Sequence, residues 1–580
     1  MSKKGRPRKQ DTRKSVFSHV QIPRFSPRNR DTYNILSDTP ATADEEQIEQ
    51  NAIEDSVPMA RAFLAAASTG THVVPYAKAR NSPDWRHWRR AIQVEWDALV
   101  AMNTWVEIPQ SDVDAKHRIL TGHWVLTRKP DRFKARFVVH GNQQRKGIDY
   151  TETYAGTARS GSVKVLLALA AIENWQTAQL DACNAFLNAH LKDLVYVHLP
   201  PLFKKKGIVL RLLRALYGLA TSPREWYMEL TAQLKKIGFK QCQGDHSVFI
   251  NAYGVILITY VDDMALFGKK QVAIDAAKAE LMASYKMRDI GILKTFIGIQ
   301  IERTSAGSIF IHQTDYTEHI LDRFGFKTAN AVKEPFVHKC ALVIRDDQCP
   351  QSQITQFQEM VGSLMWLATI TRPDIQYAVS KLAQFNTNPS EDAMKACKHV
   401  FRYLRGTVGK GILYSKDEQF PDIIGYIDAC WGDPNANDPR STTGYVFKLA
   451  GGPISWASRR QRTTTTSSTK AKYIAQYSAA KEATYLHQFL GELGFRQESA
   501  TIINADNRGA IALSKGTSST TRSRHINFQY HYVREKVEEG IISFIYLPTA
   551  QMAADGLTKA LAYIEFRRFQ GLLGVLDAPK

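Results

Sequence analysis

The sequence predicts an α+β protein of several domains, and three observations carry that reading. At 580 residues with 44% hydrophobic content, the chain is too long for one core of ordinary domain size. Apolar residues recur at helical spacing in some stretches, as in Ile92, Trp96, Leu99 and Val100, and cluster in short strand-like runs in others, as in Val255 to Thr259. Several strand-like runs lead into a carboxylate: Asp181, Asp262 and Asp428.

Composition narrows the class. Lys plus Arg number 76 against 56 for Asp plus Glu, a formal charge of +20, which favours a nucleic-acid partner through many phosphate contacts. A soluble protein with a basic tail accounts for the same balance. The six cysteines show no Cys-x-x-Cys pair, so neither a zinc site nor a disulfide framework is readable, and a reducing intracellular compartment is expected. No run approaches the roughly 18 apolar residues of a membrane span, so no membrane partner is expected.

Residues 1–84 read as a disordered basic arm and linker. They open on Lys3-Lys4-Gly5-Arg6-Pro7-Arg8-Lys9 and turn acidic from Asp44 to Asp55. Arginines around Gly5 and Pro7 suit an A·T-rich minor groove or a nuclear localisation patch, and a plain solvated tail fits equally well. The folded part is expected from Trp85, where Trp85, Trp88, Ile92, Trp96 and Leu99 mark a helix. His123 to Thr127 and Lys134 to His140 read as strands around a Pro130-Asp131 turn, a hairpin carrying Lys134 and Arg136 that could grip phosphates. Val163 to Ala171 and Ala215 to Ile237 read as helices. Gln179-Leu180-Asp181 and Ile256 to Val261 read as strand endings, Tyr316 to Thr407 as a helical connector, and no internal repeat is visible.

The strongest local signal is Tyr260-Val261-Asp262-Asp263, two carboxylates between apolar runs. Adjacent buried acids repel and lose solvation, so a bound cation is one explanation, and an exposed turn capped by the pair is the other. Asp181 ends a strand-like run about eighty residues earlier. Carboxylates on two neighbouring strands are what two-metal phosphoryl transfer to a 3′-hydroxyl requires, and Asp181 with Asp262 and Asp263 would suffice.

At these residues the chain resembles the reverse transcriptase of copia-type LTR retrotransposons, whose palm carries Q-L-D-x-x-N-A-F-L-N and Y-V-D-D motifs. Both stand here, as Gln179 to Asn188 and Tyr260 to Asp263. The family pattern also matches Lys134-Ala135-Arg136-Phe137-Val138, Ala215-Leu216-Tyr217-Gly218-Leu219, Ser222 to Tyr227, Phe296-Ile297-Gly298-Ile299 and Arg372-Pro373-Asp374-Ile375, so the match runs from about Trp85 to Leu561. The resemblance implies a right-hand polymerase with fingers and palm at 85–315, thumb and connection at 316–415, and an α/β ribonuclease H-like domain at 416–575. It implies catalytic, metal-holding Asp181, Asp262 and Asp263, with two Mg²⁺ ions or Mn²⁺ in their place. Phe186 stands at the steric gate against a 2′-hydroxyl, and Lys134 and Arg136 would neutralise the triphosphate. The implied partners are an RNA template, a DNA primer or RNA–DNA hybrid, and deoxynucleoside triphosphates, in cytoplasmic particles or the nucleus.

Two departures qualify the expectation. Ala220-Thr221 stand where the family has a Lys-Gln pair, which removes a charge and a donor near the substrate. In the C-terminal part Asp428, Asp506 and Asp555 resemble the ribonuclease H acids, but Ser467-Ser468-Thr469-Lys470-Ala471-Lys472-Tyr473 replaces S-S-T-E-A-E-Y. The expectation is that Lys470 replaces the catalytic Glu and hydrolysis is lost. Neither a protease motif nor an integrase segment is visible, so a polyprotein tail or a truncated reading frame is expected. A catalytically silent remnant or adopted host protein that only binds nucleic acid is the alternative.

Overall fold

The computed structural model describes residues 72–129, 131–337, 342–343, 345, 347–416, 422–432, 439–465, 467–516 and 524–579, with backbone alone for 72 and 524–528. The expected disordered arm therefore lies outside the described residues as far as residue 71, and so does Pro130 of the hairpin turn. Residues 72–84 correct that expectation. His72–Val74 forms a strand that pairs antiparallel with the first hairpin strand, Val74 opposite Leu126, and Tyr76–Arg80 is a short helix. A three-residue strand is too short to show a two-residue period, which is why it reads as linker.

The helix Trp85–Ala101 buries Trp88, Ile92, Trp96 and Leu99 along one face against the hairpin strands Gly122–Arg128 and Phe133–Val139. Alternation in the second strand puts Ala135, Phe137 and Val139 into that core and leaves Lys134 and Arg136 on the opposite face. A four-stranded sheet, ordered Trp105–Pro109, Ile208–Leu212, Tyr196–His198 and Ile119–Leu120, completes this region.

A six-stranded antiparallel sheet follows, in the order Met287–Gly291, Gln176–Ala182, Asp263–Gly268, Ile256–Tyr260, Val248–Asn251 and Phe239–Gln241. One face, with Leu180, Leu257, Met264 and Leu266, packs on the helices Ser222–Lys236 and Gln271–Ser284. The other, with Ile258, Ala265 and Phe267, shares a core with the helix Ser160–Ile172, which is buried along most of its length. The helix expected from Ala215 starts only at Ser222. Pro223 fits a first helical turn, whereas Gly218 has φ +95°, outside helical geometry.

The expected boundaries at 315/316 and 415/416 both cut through one small sheet. Its strands are Thr295–Phe296, Ile299–Arg303, Ile309–His312, Gly411–Tyr414 and Val575–Leu576, so the chain's last strand returns to a sheet begun 280 residues earlier. The helices Thr314–Arg323, Gln351–Ile370, Gln376–Ala383 and Glu391–Arg405 lie between its strands in sequence. Inside them Asp374 accepts both arms of Arg372, at 2.9 and 2.8 Å, and the Tyr403 hydroxyl at 2.6 Å, all three side chains buried.

The C-terminal sheet is mixed. Gly452–Arg460, Thr442–Leu449 and Ile424–Cys430 are antiparallel, and Thr501–Ala505 and Ile542–Tyr546 continue in parallel. The helix Ser468–Glu492 crosses it and reaches the six-stranded sheet. There the Tyr485 hydroxyl lies 2.8 Å from Ser162 Oγ, which donates to Asp245 at 2.6 Å, and Glu492 accepts the N–H groups of Gln243 and Gly244. The predicted mixture of α and β structure is present, and one large core joins the Ile258 face of the six-stranded sheet, the small sheet and the C-terminal sheet. No helix among the described residues is long and apolar enough to cross a membrane.

Candidate active site

Strand pairing brings the predicted acids together. Asp263 stands directly opposite Asp181 in the antiparallel pair, and Arg288 stands opposite Asp181 on its other side, so all three side chains share one face of the sheet. Asp262 occupies the tight turn before Asp263. Within that turn Val261 has φ +57°, a costly conformation for a β-branched residue. Two bonds hold it: Val261 C=O accepts from Trp226 Nε1 at 2.7 Å, and Asp262 C=O accepts from Ala182 N–H at 2.9 Å.

Burial and mutual repulsion govern the acids. Burial raises the pKa of Asp262 and the neighbouring Asp181 charge raises it further, while Arg136 and Lys134 pull it down. Asp263 is pushed up to about 7, first by burial and then by Asp262 and Asp181. Asp181 is held by Arg288, Nε at 3.0 Å and Nη2 at 2.6 Å. Oxygen donors that repel one another suit a hard divalent cation in charge and chemistry. Among the described residues no three His, Cys, Asp or Glu side chains stand grouped as a metal site. Asp181 is paired instead with Arg288.

Lys134 and Arg136 border this cluster. Glu95, on the helix Trp85–Ala101, interacts electrostatically with both cations. Burial and the adjacent Arg136 charge lower Lys134 to about 8. Phe186 lies in the short 3-10 turn Ala185–Asn188, directly after the Asp181 strand.

Sequence reasoning gave no role to Tyr217, which joins these parts. Its ring meets Phe186 edge-on at 4.9 Å, and the Arg136 guanidinium sits 5.2 Å from its centroid. Burial and then the charges of Asp262, Glu95 and Asp181 push its hydroxyl up to about 12, against Arg136. The available signal was Gly218. A Cβ there would come within 2.0 Å of Val139 C=O, and Tyr217 C=O accepts from Val139 N–H at 2.8 Å, so the segment is pinned to the hairpin. Arg288 had no sequence signal.

In the C-terminal sheet Asp428 and Asp506 lie near the ends of neighbouring parallel strands, and Asp555 lies in a short turn beyond. The lysine among them is Lys472, not Lys470. Lys472 Nζ donates to Asp428 at 3.1 Å and also to Asp506, and Lys559 Nζ lies 2.6 Å from Asp555. Helical phase explains the correction. Two residues turn a helix by about 200°, so Lys470 faces away, in a first turn where its N–H is capped by Ser467 Oγ. Burial opposes the Lys472 ammonium, yet Asp428 and Asp506 raise its pKa above the ordinary lysine value.

Residues 103–338 match the family described as "Reverse transcriptase (RNA-dependent DNA polymerase)". The chain is 34% identical over 517 residues to the retrovirus-related Pol polyprotein from transposon TNT 1-94 of Nicotiana tabacum, across 85% of this chain and 38% of that protein. It is 30% identical over 311 residues to the putative transposon Ty5-1 protein of Saccharomyces cerevisiae, covering 52% of this chain and all of that protein. The chain belongs to the copia-type retrotransposon Pol family. It spans about a third of the length of the plant Pol polyproteins it matches. A solved foamy viral protease-reverse transcriptase in complex with RNA/DNA hybrid overlays on 80% of this chain and 54% of that one, with TM-score 0.44 and 13% identity. Within this Pol family the quoted motifs from Lys134 to Ile299 fall inside the matched region, and Arg372-Pro373-Asp374-Ile375 lies beyond it.

Proposed function

We propose that this Pol chain is an RNA-directed DNA polymerase that adds deoxynucleotides to a DNA primer on an RNA template. The observation that carries the reading is the pairing of Asp181 with Asp263 beside the strained Asp262 turn, with Lys134 and Arg136 at its border. In this reading 85–315 forms fingers and palm, 316–415 thumb and connection, and 416–575 a ribonuclease H-like unit without hydrolytic activity. Asp181, Asp262 and Asp263 are the residues that would hold two Mg²⁺ ions. When bound, divalent ions supply activation of the primer 3′-hydroxyl and neutralisation of triphosphate charge. Arg288 keeps Asp181 neutralised while no cation is bound. Lys134 and Arg136 bind the triphosphate, and Phe186, held edge-on by Tyr217, closes the space a 2′-hydroxyl would need.

The direct test is primer extension on an RNA template with Mg²⁺ and deoxynucleotides. A second reading, a silent protein that only binds hybrid, draws on Arg288 occupying Asp181 and on Ala220-Thr221. Folded protein that binds hybrid but extends no primer would establish it instead.

Two further results are expected. Phe186→Ala opens the gate, and the preference for deoxynucleotide over ribonucleotide, read as a ratio of kcat/KM values, falls about a hundredfold. An unchanged ratio would make Phe186 an ordinary packing residue. Lys134 is charged below about 8 and loses its proton above it, so KM for deoxynucleotide rises as pH passes through that value. Lys134→Arg keeps its charge at every pH and flattens the profile. A wild-type profile that matches the Arg variant removes Lys134 from the binding site.

A further inference from the structure

The C-terminal acids present a physical problem that the fold solves without a metal. Ile427 pairs with Ala505 in the parallel register, so the residues that follow, Asp428 and Asp506, emerge side by side, with Asp555 contributing to the same field. Three carboxylates gathered at strand ends and a turn repel unless a cation stands among them. A divalent ion does not fit here, because the central position is filled. Lys472 reaches in from the helix Ser468–Glu492 and bonds Asp428 and Asp506 together, with Ala471, Tyr473 and Ala475 buried on either side of it. The second oxygen of Asp428 accepts the Thr558 hydroxyl, and Lys559 pairs with Asp555. The cavity left beside Lys472 is lined by Ile427, Asp428, Ala475, Gln476 and Asp506 and has room for little beyond a water molecule.

We propose that Lys472 is a resident cation standing in place of a divalent ion, so that this nuclease-like site is held together by an internal ammonium and binds no metal. The inference rests on reading the C-terminal unit as nuclease-like and goes beyond its silence: Asp428 and Asp506 serve as the ion-pair partners of Lys472. Loss of Lys472 would weaken the fold, and reversal of its charge by one substitution would create a metal site.

The test uses the full chain carrying Asp262→Asn and Asp263→Asn, which removes carboxylates from the other acidic cluster. Mn²⁺ alone is titrated, followed by calorimetry and by melting temperature. The background protein takes up no Mn²⁺. Adding Lys472→Glu creates a Mn²⁺ site and a melting temperature that rises with the metal, whereas Lys470→Glu, the same change of charge two residues away, creates neither. Lys472→Gln lowers the metal-free melting temperature by about 4 °C or more, because a partly buried pair loses its cation. Mn²⁺ binding by the background protein that disappears with Asp428→Asn would overturn the proposal, as would Lys472→Glu without gained binding or Lys472→Gln without loss of stability. If Lys472→Glu fails to fold, the background titration and Lys472→Gln still decide. Cleavage of RNA–DNA hybrid by the unsubstituted chain tests the silent-nuclease reading separately.

Discussion

Asp262→Asn lowers kcat/KM for RNA-templated primer extension about a thousandfold, with hybrid affinity unchanged. The size follows from charge alone. A unit charge about 4 Å from a cation, at an effective dielectric near 20, is worth about 4 kcal/mol, and each 1.4 kcal/mol is about tenfold in rate. Asparagine keeps the shape of the turn, because Val261 and Asp262 are held through their backbone carbonyls by Trp226 and Ala182. The variant therefore keeps its fold, and the metal-free protein is no less stable, since a partly buried charge repelled by Asp181 has been removed. The sign can be checked against pH. A carboxyl whose pKa is raised by folding binds more protons in the folded state, so its ionisation costs stability as pH rises through the raised value, and Asn abolishes that loss. Extension near the wild-type rate would mean that the acids of the Asp262 turn are structural.

What could be read from the sequence follows the range of the interactions. The helix at Trp85 and the Lys134 hairpin were legible because period and turn chemistry are local. Asp181 and Asp262 were legible because each lies in a long motif at a strand end. Arg288 was not, because it meets Asp181 only through strand pairing across 107 residues. Tyr217 was visible as part of a motif, but its meeting with Phe186 and Arg136 depends on the close approach at Gly218. The choice of Lys470 over Lys472 failed on helical phase, which a seven-residue segment at a helix start does not fix. The start of the fold was missed because His72–Val74 has meaning only beside the hairpin.

The C-terminal boundary is the largest of these differences, and it leads to the strongest structural prediction. A chain ended after Ser415 is expected to aggregate and to lose primer extension altogether, although every residue proposed for the polymerase site remains. The helix Ser160–Ile172 lies between the six-stranded sheet and the strand Gly452–Arg460, and its leucines share one core with Ile454, Ala457, Leu486 and Phe489. Removing residues beyond 415 bares that apolar surface. Each fully buried Leu, Ile or Phe is worth about 1.5–3 kcal/mol, so a handful of exposed contacts matches a net stability of about 5–15 kcal/mol. Polar bonds go with them. Trp456 donates to Ala368 C=O at 2.8 Å and its ring covers the Lys164 ammonium at 3.7 Å, while Tyr485 meets Ser162. The strand Gly411–Tyr414 would also lose Val575–Leu576 and present an open edge for pairing with other chains. Size-exclusion chromatography of the shortened chain, with extension measured on any monomer recovered, checks the prediction. A soluble, monomeric and fully active product would show instead that the polymerase folds alone and that the shared core contributes little. If aggregation is found, the residues beyond 415 serve this Pol chain as a structural part of the core that carries the Asp181 sheet.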